Sequence, residues 1–412
     1  MSAGRRLVQR VVGVSVVLGL CVTPVRLSGQ DYRAQALRIL RTTPLIDGHN
    51  DLPDAMRERG GIDSVDLGKS QPKLQTDIPR LRAGGVGAQF WAAYVPVTTM
   101  QAGDTGTGPA VYALEQIDLI HRYCGRYPDT FAAATTADDI ERNFRVGRIS
   151  CLIGIEGGHA IENSLGALRM FYQLGVRYMT LTHWRTIAWA DAATDTARHG
   201  GLTPFGEDVV REMNRLGMLV DLSHVSDGTM LDALRVTRVP VIYSHSSARA
   251  LSDHVRNVPD SIVRLLAANG GVVMANFYAP FVSDDVRRFG LRVQQRADSL
   301  RAAGAAEAAV RDSVKAWNAA GPRATLSQVA EHIDHLRRVG GADHVGIGSD
   351  FDGIDALPVG LEDVSKFPDL IAELLRRGWS EVDVRKLVGG NVLRVMRAAE
   401  RVAKDLQASG RD

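Results

Sequence analysis

The sequence reads as an α/β chain folded into a (β/α)8, or TIM, barrel, on three observations. Beyond Asp31, short apolar runs alternate with amphipathic helical stretches, the pattern of parallel strands joined by helices. Eight such runs occur, the strand number of a closed barrel. Ionisable side chains recur at the ends of these runs, where a barrel gathers its loops at one mouth. An open doubly wound sheet is the competing arrangement, but no Gly-rich dinucleotide fingerprint supports it.

The expected strands are Pro44–His49, Val86–Tyr94, Ser150–Glu156, Arg177–His183, Met218–His224, Val239–His245, Gly271–Tyr278 and His344–Asp350. Among the connecting segments, Leu165–Leu174, Glu207–Leu216 and Ser327–Val339 carry apolar residues at helical spacing. Between the seventh and eighth strands, residues 283–325 are rich in Ala, Arg, Asp and Gln and read as a helical insertion of one or two surface helices. By barrel logic the insertion sits on the C-terminal face, as a lid, a subunit contact or a solvated decoration. Residues 31–412 are thus expected to form a single barrel domain.

Residues 1–30 stand apart. Arg5, Arg6 and Arg10 precede the apolar run Val11–Val22, which is followed by Pro24 and by Ser28-Gly29-Gln30. A basic segment before a short apolar run predicts a signal peptide or N-terminal anchor, and the run is short for a membrane span. Cys21 ends the run as a lipid-anchor cysteine would, but Leu20 stands where such sites need a small residue. The chain is expected to be exported, periplasmic or extracellular, with membrane association through the N-terminus only.

Composition excludes several classes. With 412 residues, 45% hydrophobic and 23% charged, the chain is not disordered, collagen-like or a multi-span membrane protein. Its 49 basic residues are offset by 47 acidic ones, so there is no nucleic-acid footprint. Three cysteines are too few for a disulfide framework and lack metal-type spacing. A homodimer is the base-rate expectation for association.

The functional signal is positional. His49, Glu156, His183, His224, His245 and Asp350 each end an expected strand, where barrel enzymes keep their catalytic groups. In His49-Asn50-Asp51 the imidazole and carboxylate point to one side of an extended segment. Glu156 precedes Gly157-Gly158, which let the backbone come close. His224 and His245 end consecutive strands, both as Ser-His. Together His49, Asp51, Glu156, His224 and His245 supply three imidazoles and two carboxylates, enough for two divalent ions if one carboxylate bridges. Mixed N/O ligands without thiolate suit catalytic zinc. Two such ions about 3.5–4 Å apart can hold a hydroxide and polarise a carbonyl, which points to metal-assisted hydrolysis.

The other histidines read as structural. His332 and His335 fall off the apolar stripe of Leu326, Val329, Ile333 and Leu336 and are expected to face solvent. His121, His199 and His254 lie in polar contexts, His344 starts a strand at the wrong end, and His159 follows Glu156 closely enough to support it. Arg256 by itself reads as a surface arginine, and Asp350 stands open between catalysis and a loop cap, with Asp352 as its competitor.

The residues resemble the membrane (renal) dipeptidase family of binuclear zinc peptidases, on a metal-dependent hydrolase barrel. The matching stretches include PLIDGHNDLP from Pro44, GAQFWAAYVP from Gly87, LIGIEGGHAI from Leu152, RYMTLTHW from Arg177, GMLVDLSHVS from Gly217, PVIYSHSSARAL from Pro240, RNVPD from Arg256, GIGSDFDG from Gly346 and LEDVSKFPDLIAELLRRGW from Leu361. The resemblance runs from about residue 35 to 400, interrupted mainly by the insertion. It implies that His49 and Asp51 bind one Zn2+, His224 and His245 the other, and Glu156 bridges the two. It also implies that His183 contacts the scissile carbonyl, that Arg256 grips the C-terminal carboxylate of a dipeptide, and that Asp350 moves the proton and helps hold the free amino group. The implied reaction is attack of a metal-bridging hydroxide on a dipeptide, with C-terminal D-residues among the expected substrates. Another amide or ester hydrolase on the same barrel (a lactonase, amidase or phosphotriesterase) and a non-catalytic ligand-binding barrel are the rivals. Animal members pair cysteines across the barrel mouth; the corresponding places here lie near Val97 and Arg185. Cys124 and Cys151 are therefore expected to be free. No apolar tail follows Asp405, so no C-terminal lipid anchor is expected.

Overall fold

The computed structural model describes residues 31–101 and 106–409, with Met1, Ser2 and Gly4 besides. The barrel lies wholly within the unit Tyr32–Asp412; the rest of the expected signal segment falls outside the described residues. No helix among the described residues is long and apolar enough to cross a membrane.

The strands are β1 (Leu45–Asn50), β2 (Val86–Tyr94), β3 (Phe131–Ala133), β4 (Ile149–Glu156), β5 (Val176–Thr180), β6 (Leu219–Asp221), β7 (Ile242–Tyr243), β8 (Val272–Ala275) and β9 (Val345–Ile347). All pair in parallel. The ring runs β1, β2, β4, β5, β6, β7, β8, β9 and back to β1, an eight-stranded closed barrel. Only β3 lies outside it, against the first half of β4. At three residues with one buried side chain, it is too short to leave a periodic signal.

Each of the eight expected strands is present, but most stop sooner than their apolar runs. Strand pairing ends at Thr180, Asp221, Tyr243, Ala275 and Ile347. His183, His224, His245 and Asp350 therefore sit just past the ladders rather than within them. The backbone has already turned at two of these places, with φ of 69° at His224 and 66° at Asp350. A side chain held at positive φ is strained, and such strain collects at functional sites.

Helix boundaries follow local chemistry. Thr203 and Ser164 cap their helices by accepting from the third backbone N–H of Pro204–Leu216 and Leu165–Gln173. Thr325 and Gln328 form a reciprocal capping box at the start of Leu326–Gly340. The insertion forms two helices, Asp284–Ala302 and Glu307–Ala319, which bury only Val293, Ala297 and Val310.

Inside the ring, Ile46, Phe90, Leu152, Tyr178, Leu219, Ile242, Val272 and Met274 fill the core. The same cluster continues into Val392, Met396 and Ala399 of the last helix, Asn391–Ser409. The base of the barrel is thus packed with apolar side chains, and the ionisable side chains gather at the opposite end.

Two expectations are corrected. Cys124, on helix Pro109–Arg126, and Cys151, on β4, form a disulfide rather than free thiols. The helix packs across β2 and β4, so the fold brings together two cysteines whose sequence spacing carried no signal. His332 is buried, not solvent-facing: Nδ1 accepts from the Ala248 N–H at 3.0 Å and Nε2 donates to the Val282 carbonyl at 2.9 Å. His335 is part-buried and meets Asp260 at 2.8 Å. The flank beside the apolar stripe is covered by residues 248–282, a long-range contact that helical periodicity does not record.

The disulfide spans 27 positions, and closing a loop of that size stabilises the fold by about 3.5 kcal/mol on the chain-entropy model. Replacing Cys124 and Cys151 together by serine is expected to lower Tm by several degrees, read by calorimetry. An unchanged Tm under reducing and oxidising conditions alike would contradict the bridge.

Candidate metal centre

The side chains at the barrel mouth come from six different strand ends. His49 lies in β1, and Glu156 is the last residue of β4. His183, His224, His245 and Asp350 follow β5, β6, β7 and β9. Glu156 reaches the centre. Its Oε1 lies 2.9 Å from His224 Nε2, 3.3 Å from His245 Nε2 and 3.5 Å from His183 Nε2. Its Oε2 lies 3.7 Å from His49 Nε2, which is itself 3.2 Å from Asp51 Oδ2. Three overlapping groups can each offer ligand atoms to one ion: His49, Glu156 and His245; Glu156, His183 and His224; His49, Asp51 and Asp350. All five expected ligands are thus brought together, and His183 and Asp350 join them.

The surrounding hydrogen bonds fix how the imidazoles face. The Tyr178 hydroxyl donates to the Gly48 carbonyl at 3.2 Å and so accepts from His49 Nδ1 at 2.9 Å. Gly154 of β4 leaves room for the Tyr178 ring, which a Cβ there would overlap. The Ser244 hydroxyl donates to Asp221 Oδ2 at 2.5 Å and accepts from His245 Nδ1 at 2.8 Å. With both Nδ1 atoms acting as donors, Nε2 is the nitrogen that His49 and His245 turn inward, the position a metal takes when it displaces a proton there. His245 Nε2 then faces His224 Nε2 at 3.0 Å beside the Glu156 carboxylate. Acceptors converging in a buried space need a cation between them. The residues present therefore fit a divalent metal.

Two aspartates not singled out from sequence hold this arrangement. Asp47 accepts from the Ser349 N–H and hydroxyl at 2.7 and 2.6 Å, tying the end of β9 to β1. Asp221 accepts from the N–H groups of Ser223 and Ser244 and from the hydroxyls of Thr180 and Ser244, tying β5, β6 and β7. A carboxylate inside an apolar strand, as in LIDGH and LVDLS, is the signal that could have found them.

Electrostatics follow burial. Burial holds His183, His224 and His245 well below the usual histidine range, so these rings are neutral. For His49 burial works the same way, but the carboxylates of Asp51 and Glu156 outweigh it and raise it to about 10. Burial pushes Glu156 up to about 7 and Asp51 to about 6. Asp350 rises to about 7 through burial and then through Asp51 beside it. Three carboxyl groups pushed up and three imidazoles kept neutral around one point mark a site arranged for a cation.

Arg256 is 1% exposed rather than on the surface. Its Nη1 and Nη2 make long bonds to Ser246 Oγ and the His245 carbonyl, both 3.4 Å, and Nε has no partner among the described residues. Asn276 donates to Asp350 Oδ2 at 2.8 Å and orients it. Asp352, the competitor, instead accepts from the Gln75 N–H at 2.7 Å and anchors that loop. His159 is buried behind Gly157, whose φ is 121°, and belongs to none of the three metal-capable groups. A cavity of about 680 Å3 opens above the centre, lined by Tyr94, His183, Trp184, Arg256, Tyr278 and Asp350 among others, and by no residue of the insertion after Ser283.

The model of the membrane dipeptidase family (peptidase family M19) matches residues 33–410. Dipeptidase 3 of Mus musculus is 43% identical over 377 residues, covering 90% of this chain and 67% of that relative. A probable dipeptidase of Pseudomonas aeruginosa, PvdM, superposes with a TM-score of 0.80 at 22% identity, over 91% of this chain and all of the other, a likeness of fold. A metallopeptidase of Rhodobacter sphaeroides, liganded with a phosphinate mimic of the dipeptide L-Ala-D-Ala, superposes with a TM-score of 0.69 at 25% identity, over 87% of this chain and 99% of the other. A family match that runs from the first helix of the barrel to the last makes this chain a member of the membrane dipeptidase family, and a metallo-dipeptidase.

Proposed function

We propose a dipeptidase that carries two zinc ions, one held by His49 and Asp51, the other by His224 and His245, with Glu156 shared between them. The observation that carries this is the Glu156 carboxylate standing between imidazole nitrogens on both sides, at 2.9 and 3.3 Å from His224 and His245 and 3.7 Å from His49. When bound, the two ions supply an activated water and a Lewis acid for the peptide carbonyl. All else is done by the chain. Arg256, buried and with no partner for its Nε among the described residues, receives the C-terminal carboxylate, a match for its forked donors. Asp350 takes the proton of the attacking water on a carboxylate oxygen, passes it to the leaving amine, and holds the substrate's free amino group. His183, kept neutral by burial, donates toward the carbonyl oxygen as charge develops. Anchoring both ends of the substrate restricts it to dipeptides.

The phosphinate in the Rhodobacter sphaeroides neighbour mimics L-Ala-D-Ala, which supports dipeptides with C-terminal D-residues as substrates here. The disulfide Cys124–Cys151 supports export, because such bridges persist in oxidising compartments.

Two outcomes are expected. Asp350→Asn lowers kcat by about 10²–10⁴-fold with metal content unchanged, and Arg256→Met raises KM while a tripeptide stays uncleaved by either form. Steady-state kinetics on a panel of L,L and L,D dipeptides, with metal analysis of the same samples, checks both; full activity of either variant would sink the assignment. In the metal-free protein His49 holds its proton up to about 10, and Glu156 titrates at about 7. Metal binding must displace these protons, so affinity rises as pH rises from about 6 to 8. Calorimetry in buffers of different ionisation enthalpy should record proton release, and an affinity flat across that range would contradict this ligand set.

A further inference from the structure

We propose that Asp54 selects dipeptides whose N-terminal residue carries a cationic side chain, lysine or arginine. The inference rests on the dipeptidase reading and adds a substrate class to it. Asp54 stands on helix Leu52–Arg57, three residues past Asp51, and lines the same cavity as Glu156, His183, Arg256 and Asp350. Its Oδ1 accepts from the Tyr112 hydroxyl at 3.1 Å and from Gln116 Nε2 at 2.9 Å. Both donors are neutral. The neighbouring cation, Arg57, is already taken: it pairs with Glu115 at 2.5 Å and lies 3.9 Å over the Tyr112 ring. Asp54 forms no ion pair among the described residues, and its Oδ2 accepts no hydrogen bond from them. Burial accordingly pushes its carboxyl above the ordinary range. A half-buried carboxylate with no ion pair among the described residues, facing the substrate cavity, is a charge awaiting a partner.

Its place fits one part of the substrate. Arg256 follows β7, whereas Asp54 follows β1 and packs on the helix that follows β2, so the two stand on opposite sides of the mouth. Tyr94, the last residue of β2, lies between the centre and Asp54. Its ring is 5.0 Å from that of His183, and its hydroxyl feels the charge of both Glu156 and Asp54. A dipeptide with its carboxylate on Arg256 and its peptide bond at Glu156 directs its N-terminal side chain along Tyr94 toward Asp54. The ring offers a surface to the apolar stem of a lysine or arginine, and the carboxylate meets its charged head. Glu58, on the same wall, adds to the negative field. Of the cations at the rim, Arg59 is committed to the carbonyls of Ala55 and Lys73 at 2.6 and 3.2 Å, which leaves Lys73 as the opposing charge.

The test is kcat/KM of the metal-loaded enzyme on dipeptides that end in alanine and begin with lysine, arginine, norleucine or glutamate. Lysine and arginine are expected to exceed norleucine by about tenfold, the worth of one charge-assisted hydrogen bond. Asp54→Asn keeps the acceptor for Tyr112 and Gln116, and it should bring the lysine-to-norleucine ratio to about one, chiefly by raising KM for lysine. A wild-type ratio near one, a preference for glutamate, or an Asn variant that slows all four substrates alike with the ratio intact would each overturn the inference while leaving the dipeptidase standing. Failure to cleave any of the four would remove both.

Discussion

Two buried carboxylates, Asp47 and Asp221, hold the mouth of this barrel in shape. Parallel strands end at different heights, and past the last ladder bond nothing in the sheet itself fixes the chain. Asp47 accepts two hydrogen bonds from Ser349, and Asp221 accepts from Ser223, Ser244 and Thr180. Just below the site, the stretches that carry His49 and Asp350 are therefore tied to each other, and so are those that carry His183, His224 and His245. Ser244 shows how the support reaches the chemistry: bound to Asp221, it can only accept from His245, and that turns Nε2 of the ring inward. Strained backbone at His224 and Asp350 persists because these ties over-determine it.

On that frame the chain concentrates charge that it does not neutralise by itself. Glu156, Asp51 and Asp350 are buried together with four histidines, three of which burial keeps uncharged. Among the described residues, Nε of Arg256 has no hydrogen-bond partner and the carboxylate of Asp54 has no ion pair. On the proposed reading each of these groups matches one part of the reacting system: Glu156 the ions, Arg256 the carboxylate end, Asp350 the amino end and Asp54 the side chain. Such groups lower stability in isolation and recover it when their partners bind.

The barrel and its active face are legible in the sequence because both leave periodic marks. Six of the eight apolar runs end at His49, Glu156, His183, His224, His245 and Asp350, and the fold brings all six residues to one centre. The runs overstated strand length, since the residues past the ladder, Leu181, Leu222 and Phe277 among them, stay buried without pairing. The missed features share another cause. The partnership of Cys124 with Cys151, the burial of His332 under residues 248–282 and the seclusion of Arg256 are contacts between segments far apart in the chain. Periodicity carries no term for them. Asp47 and Asp221 were visible as charges in apolar strands, but only the register of neighbouring strands shows what they bind.

The central claim is that Glu156 is shared by two metal ions. Metal content measured on the purified chain, alongside turnover of one dipeptide, tests it most directly. The account predicts two zinc ions per chain with activity, and loss of both activity and at least one ion in Glu156→Gln. Full dipeptide turnover with a single ion per chain, or in the Glu156→Gln variant, would contradict it.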